Sequence, residues 1–415
     1  MNLNSSQKKS NCRLCQSADL VSVLKLASTP PANAFISKEK LQIKQKKYPL
    51  EIFFCKNCFH VQLTEVVNPK ELFENYVYVS GTSDVFVNHF LNYAKDIVQR
   101  FNPSTDRYVL DIGSNDGTLL KFFKSMGYSV LGIDPAKDIS KQATKEGINT
   151  INGFFNLETS QIIEKKYSTA SVITANNVFA HSDDLSGMTE AISKLLAPGG
   201  IFVFEVSYLV DVYQKTLFDT IYHEHLSYHS VSPLINFFKS KKMELIDVKK
   251  VNTHGGSIRC VVKNKDDLPE INDSVKTFVN FEKSLSFDKS ETFVNFAKQI
   301  KERKQELNEY LFRIKSEGKS IAGFGAPAKA TTLMYEFGLN NDILDFIVDD
   351  SPLKQELFSP GLHIPIYSSS FIDTLKPDYL LILAWNFSES IINKNKKFHE
   401  LGGKFIIPLP KFEVI

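Results

Sequence analysis

Between Tyr222 and His229 the chain reads Tyr-His-Glu-His-Leu-Ser-Tyr-His, which places three of its nine histidines within seven residues. A neutral imidazole can take a proton near neutral pH. A tyrosine hydroxyl can donate to an oxygen that gains charge, and a glutamate can hold an imidazole in one orientation. Together these groups suit removal of a proton from carbon beside a carbonyl, with a donor for the enolate. Metal binding competes as a reading but fits less well. The zinc-protease pattern needs two histidines four apart with a glutamate directly after the first. His225 and His229 are four apart, yet Glu224 precedes both.

Cys12-Arg-Leu-Cys15 and Cys55-Lys-Asn-Cys58 are two CxxC pairs. Each can point two thiolates at one tetrahedral ion, and two pairs close its shell, leaving no open position for water. Cys12, Cys15, Cys55 and Cys58 therefore predict a structural zinc site, with a redox dithiol as the weaker reading. His60 is a bystander, because four thiolates suffice. Cys260, in the apolar run Ile258 to Val262, is expected in the core.

Tyr108-Val-Leu-Asp111-Ile-Gly113-Ser114-Asn115-Asp-Gly117 reads as a strand breaking into a glycine turn before a helix. Gly113 allows the sharp turn and leaves room for a ligand. Asp134 ends the next strand, where an acid can accept both ribose hydroxyls of an adenosine, and Pro135 follows it. Asn115 stands where a dinucleotide site needs a second glycine. That departure favours a sulfonium cofactor, S-adenosylmethionine. Leu195-Leu-Ala-Pro-Gly-Gly200 before an apolar strand resembles the fifth-strand approach of class I methyltransferases. Asn176 and Asn177 follow the fourth strand, placed for the methionine tail or the substrate, or as turn caps. Gly323-Phe-Gly325-Ala326-Pro-Ala-Lys329 opens a second glycine turn into a helix. Free backbone N–H groups at such a start bind phosphate, and Lys329 adds charge. Asp349 ends the following strand, and Trp385 and Asn386 end a later one on the same rim, facing base or sugar or simply packing.

The elements that must carry these groups are legible from apolar spacing. Tyr108–Ile112, Ser129–Ile133, Ser171–Ala175 and Gly200–Val206 are short apolar runs, alternating with helical stretches such as Gly117–Met126 and Leu185–Leu196. That rhythm predicts a parallel sheet with crossover helices. Lys289–Glu317 alternates charge as a solvated linking helix would. Beyond it, Ser320–Phe324, Ala328–Phe337, Leu344–Val348 and Tyr379–Ala384 repeat the strand and helix rhythm. The fold class is α/β: a small N-terminal zinc-binding module (1–75), a central class I methyltransferase Rossmann-like domain (76–288), and a linking helix with a C-terminal Rossmann-like domain (289–415). A chain of 415 residues, 43% hydrophobic and 23% charged, suits such a multidomain globular protein. Its net charge of +2 gives no case for nucleic acid, and Lys38–Lys47 reads as a solvated face. No run of about 18 apolar residues predicts a membrane span. The N-terminus carries no signal-peptide pattern. A cytoplasmic monomer is the expectation.

YHEHLSYHS, DIGSNDGTLL, ANNVFAH, THGGSIR, GFGAPAK and LAWNF, with the cysteine pairs, resemble the nucleotide-deoxysugar C-methyltransferases over essentially the whole chain. That family methylates C-3 of 4-keto sugars. The resemblance implies His225 as the base, with Tyr222 and Glu224 supporting the enolate and orienting the base. It places His181 and Tyr76 beside the reacting sugar. Tyr76-Val-Tyr78-Val-Ser80, on its own an aromatic edge strand, resembles the family's tyrosine-rich lid over the cofactor. His254-Gly255-Gly256-Ser257-Ile258-Arg259 resembles its substrate-side loop, where glycines let backbone approach the sugar and Arg259 faces phosphate. A plain hairpin turn is the alternative. The C-terminal domain would help hold the nucleotide diphosphate of the substrate. Where relatives carry Gly-Asn after the lysine, this chain has Ala330-Thr331. O- or N-methylation of a nucleotide sugar, a binding protein without catalysis, and a reductase are the competing readings.

Overall fold

A computed structural model of the chain describes residues 5–73, 81 and 84–415. The expected aromatic strand with Tyr76, Tyr78 and Ser80 lies outside the described residues.

The N-terminal strands are β1 (Ser6–Lys8), β2 (Leu20–Thr29), β3 (Tyr48–Cys55), β4 (Val61–Leu63) and β5 (Glu65–Val67). The central strands are β6 (Tyr108–Ile112), β7 (Ser129–Asp134), β8 (Thr150–Asn152), β9 (Ala170–Asn176), β10 (Leu196–Ser207), β11 (Ser227–Tyr228), β12 (Met243–Val251) and β13 (Ser257–Asn264). The C-terminal ones are β14 (Ile321–Phe324), β15 (Phe346–Val348), β16 (Ile366–Tyr367), β17 (Tyr379–Ile382), β18 (Lys404–Ile407) and β19 (Glu413–Val414).

The central sheet has seven strands in the order β12-β13-β10-β9-β6-β7-β8. β6 to β10 run parallel, and β13 lies antiparallel between β10 and β12. β6 and β9 are buried along nearly their whole length, as strands covered on both faces must be. The helix Asp84–Phe101 covers one face with Phe86, Phe90, Tyr93, Ala94 and Ile97, a helical repeat of apolar groups. Because the parallel strands share a direction, the turns after β6, β7, β9 and β10 collect at one edge. Ligands bind at that edge in open α/β sheets.

The C-terminal sheet runs β16-β15-β14-β17-β18-β19, parallel except for β19. Its strand order also places a crevice at the carboxyl ends of β14 and β17. Ser290–Ser316 is a helix, as its periodicity predicts, but it is not a solvated linker. It buries Phe293, Phe296, Ile300, Leu307, Leu311 and Ile314, and packs against β2. The alternating charges occupy only its outer face, so the apolar face decides where it sits.

The N-terminal sheet draws a strand from the middle of the chain. Its order is β11-β4-β3-β2, and β11 belongs to the histidine-rich segment. The segment that carries the expected catalytic residues therefore pairs with the cysteine module.

Candidate active site

The glycine turn after β6 is fixed from below. Gly113 has φ +70°, in the left-handed region. A Cβ there would meet Val178 Cγ2 at 2.4 Å. The glycine thus serves the turn and the close approach of Val178, where the sequence suggested room for a ligand. Asp134 Oδ2 accepts from the Asn115 amide at 2.9 Å, and Oδ1 accepts from the Ala136 amide at 2.8 Å. Each oxygen keeps a lone pair for a further donor. Asp111 lies beneath, accepting from Thr174 Oγ1 at 2.6 Å, with its carboxyl pushed up to about 7 by burial. Ser114 turns its hydroxyl inward over Gly132, against the expectation of a ligand contact. Gly117 is the left-handed residue before the helix Thr118–Ser125, and Pro135 follows β7. The side-chain amide of Asn176 is shielded from solvent and has no hydrogen-bond partner among the described residues. An acid with spare lone pairs and a buried amide, at the ends of the strands on either side of β6, fit a cofactor with ribose hydroxyls and an amino-acid tail.

Next to this edge stands the histidine group. His225 Nδ1 lies 2.7 Å from the Thr220 carbonyl. A carbonyl only accepts, so the proton sits on Nδ1 and Nε2 keeps its lone pair. Tyr222 packs on the His225 ring at 4.0 Å between centroids, and His181 stacks on its other side at 5.1 Å. His225 and His181 line a cavity together with Asn177, Ser207 and Tyr228. Glu224 was expected to orient the imidazole. The Thr220 carbonyl does so instead, and Glu224 Oε1 accepts from Asn33 Nδ2 at 2.8 Å. His223 faces the Pro49 carbonyl, and His229 packs on His60 and Phe179. The histidines thus point to separate partners and do not converge on a metal.

The seam with the C-terminal domain closes the far side. Asn177 Nδ2 is 3.4 Å from His254 Nε2. Gly255 has φ +93°, and a Cβ would meet Leu217 at 2.7 Å and Trp385 at 3.0 Å. The glycine therefore admits the close approach of Leu217 and Trp385. Ser257 and Arg259 are likewise corrections. Ser257 is fully buried and donates to the Thr253 carbonyl. Arg259 lies opposite Glu205 in the register of β13 on β10. It pairs with that carboxylate at 2.6 Å and with Asp96 at 3.2 Å, over the Tyr93 ring. A guanidinium so held does not face a phosphate. Lys329 does stand at the seam. Its ammonium lies 3.4 Å above the Trp385 ring and donates to Asn386 Oδ1 at 2.6 Å. Burial pushes it down to about 8, opposed by Asp219. Trp385 donates from Nε1 to Asp219 Oδ2 at 2.5 Å. The amides expected to be free for phosphate are partly used. Gly325 donates to the Val348 carbonyl at 2.7 Å, and Ala326 to Asp349 Oδ2 at 2.6 Å. Asp349 thus locks its glycine turn as Asp134 locks the first. Asp219, Thr220 and Asn33 were missed in the sequence. Asp219 lies just before the histidine cluster and could have been weighed; a carbonyl and a distant loop amide leave no pattern.

The four cysteine sulfurs lie within 4.8 Å of one another, with Cys12 and Cys58 at 3.6 Å and Cys15 and Cys55 at 3.5 Å. Thiolates around tetrahedral zinc at about 2.3 Å sit about 3.8 Å apart. The donor set and spacing fit a structural zinc. Among the described residues no other group of histidine, cysteine and carboxylate could hold a metal.

Burial holds several histidines neutral. His223, His225 and His254 are pushed down to about 4 and His229 to about 3, each mainly by loss of water. Unfolded, each would take a proton near its ordinary value of about 6.5. The unfolded chain then binds more protons as pH falls, so stability present above about 6.5 is lost toward 4. At pH 5 each site costs about 2 kcal/mol. Denaturant midpoints should fall steeply between about pH 6.5 and 5. A midpoint flat over that range would show that these rings are hydrated and free to charge.

Residues 12–73 match a zinc-binding domain family, 87–246 a methyltransferase domain family, and 252–410 the C-methyltransferase C-terminal domain family. A C-methyltransferase of Streptomyces niveus, NovU, is 33% identical over 404 residues, covering 97% of this chain and 96% of the relative. The chain belongs to the C-methyltransferase family. It is an S-adenosylmethionine-dependent methyltransferase with a zinc-binding module. A ubiquinone biosynthesis O-methyltransferase of Burkholderia vietnamiensis is 23% identical over 38% of this chain and 74% of its own. Among solved structures, a methyltransferase of Clostridium acetobutylicum aligns over 44% of this chain and 93% of its own at 17% identity, TM-score 0.35. Magnesium protoporphyrin IX methyltransferase of Synechocystis aligns over 46% and 90% at 14%, TM-score 0.33. The match of 252–410 to a C-methyltransferase domain displaces the reductase reading of the second glycine turn. No helix among the described residues is long and apolar enough to cross a membrane.

Proposed function

We propose that this enzyme methylates the carbon next to the ketone, C-3, of a nucleotide-activated 4-keto-deoxysugar. The observation that carries the reading is the state of His225. Its Nδ1 proton is engaged by a backbone carbonyl, so Nε2 keeps a lone pair, and the residue lines a cavity with His181 and Asn177. That is the geometry of a general base, with Nε2 positioned to take the proton from the carbon acid. Tyr222, against the imidazole, supplies a hydroxyl for the enolate oxygen, and His181 walls the ring on the other side. The bound cofactor supplies an electrophilic methyl group. Asp134 accepts its ribose hydroxyls through its free lone pairs, and Asn176 meets its amino-acid tail. Lys329 and Asn386, with His254 nearby, bind the diphosphate end of the substrate at the seam. Trp385 shapes this pocket and Asp219 fixes Trp385.

Incubation of the enzyme with a 4-keto nucleotide sugar and S-adenosylhomocysteine in deuterium oxide should place deuterium at C-3 without methyl transfer, read by mass spectrometry. With S-adenosylmethionine, the product should carry a carbon-bound methyl group. A methyl ether and no deuterium exchange would overturn the reading in favour of sugar O-methylation.

A further inference from the structure

Asn33 comes from the loop after β2, in the zinc module, 191 residues before the glutamate it touches. Its amide donates to Glu224 Oε1 at 2.8 Å, and Glu224 is 1% exposed. A buried carboxylate without donors is costly, and hydrogen bonds to charged groups are among the strong ones. The loop that carries Asn33 is held on both sides by the C-terminal domain. The Ala32 carbonyl accepts from Thr331 Oγ1 at 3.0 Å. Ile36 and Phe358 exchange backbone hydrogen bonds at 3.2 and 2.8 Å. The Asn33 carbonyl itself accepts from the Phe35 amide at 2.8 Å. The backbone around Asn33 is thus fixed by contacts that serve neither the zinc nor the cofactor, and one side chain projects from it to the acid beside His225.

We infer that Asn33 is a positioning residue for methyl transfer, acting through Glu224, which it holds as an oriented acceptor next to the base. The inference rests on reading Glu224, with the proposed base His225, as a support for the enolate. It gives the N-terminal module a direct part in the site: one residue from that module, clamped by the C-terminal domain, sets a side chain of the central segment. Thr331 acquires a role as well. Its hydroxyl holds the Ala32 carbonyl next to Asn33.

The test is a double-mutant cycle on methyl transfer to a 4-keto nucleotide sugar, using the full-length zinc-loaded enzyme. Asn33→Ala should lower kcat about tenfold to a hundredfold, with little change in KM, zinc content or affinity for S-adenosylmethionine. In a Glu224→Gln background the same change should cost less than threefold, on the order of additivity error. Should Asn33→Ala fold poorly, Asn33→Asp keeps the shape and faces Glu224 with a second carboxylate. It should lose at least as much kcat, and again little when residue 224 is neutral. Equal losses in both backgrounds, or a wild-type kcat for Asn33→Ala and Asn33→Asp beside an impaired Glu224→Gln, would overturn the inference alone. A wild-type rate for Glu224→Gln would overturn the placement of Glu224 itself, and the inference with it.

Discussion

Replacing His225 by Asn is expected to lower methyl transfer by about 10²- to 10⁴-fold while S-adenosylmethionine still binds. The asparagine amide can keep the donor to the Thr220 carbonyl that Nδ1 now supplies, so the local backbone stays in place. What it lacks is a basic lone pair where Nε2 stands. The cofactor turn is built from Asp134 and the Asn115 amide on another loop. Deuterium exchange at the substrate carbon should vanish together with turnover, because both begin with the same proton removal. The pH profile separates this role from a structural one. Burial holds the ring near 4, so the free enzyme should show no inflection of kcat/KM near 6.5, where an exposed histidine titrates. A diphosphate arriving beside His254 and Lys329 adds negative charge that favours the imidazolium. The acid limb of kcat should therefore lie above that of kcat/KM. Full turnover in the Asn variant, or an inflection at 6.5 in kcat/KM that survives the replacement, would remove His225 from the role of base.

That residue could be named from the sequence, but the atom that orients it could not. β6, β7 and β9 were legible because strands buried on both faces must be continuous apolar runs, and Tyr108–Ile112 is a strand over the same residues. The cysteine pairs were legible because metal ligation dictates spacing. Arg259 shows the opposite case. A charged residue in an apolar strand invites a ligand, yet the antiparallel register sets it opposite Glu205. Register between β10 and β13 depends on how a hairpin returns to the sheet, which periodicity does not specify. The glycines of two loops fail for a related reason, since their need comes from tertiary neighbours. Gly255 and Gly325 are required by Trp385 and Ala384, neighbours far along the chain. The charged helix Ser290–Ser316 advertised its wet face in its composition and hid its partner, β2, more than 260 residues away. β11 is the largest surprise. Two residues of the histidine segment pair with β4 and place the proposed base against the zinc module, through contacts that no local pattern encodes.

That placement makes zinc removal the second large effect. Structural zinc contributes on the order of 10–16 kcal/mol to the fold of its module. Here the first CxxC knuckle also carries Arg13, only 1% exposed, between the two metal ligands. Its backbone amide donates to Gln62 Oε1 at 2.8 Å, and its guanidinium reaches Asp183 at 3.0 Å and the Leu226 carbonyl at 3.2 Å. Leu226 follows the proposed base directly. Releasing the knuckle withdraws Arg13, leaves Asp183 to Lys9, and removes one of the donors to the Leu226 carbonyl, which also accepts from the Leu63 amide on β4. Cys58→Ser, or extraction of the metal by a strong chelator, should therefore abolish methyl transfer, although no cysteine lines the cavity. S-adenosylmethionine affinity should change far less, because Asp134 and its turn belong to a different sheet. Calorimetry with the cofactor, zinc analysis and turnover on the same preparation distinguish the outcomes. Activity retained without zinc would mean that the packing of Arg13 and β11 holds the histidine segment by itself. Loss of cofactor binding together with activity would mean that the module supports the whole chain. Loss of turnover alone is the expected result, since the metal clamps the β4–β11 pairing that starts two residues after His225.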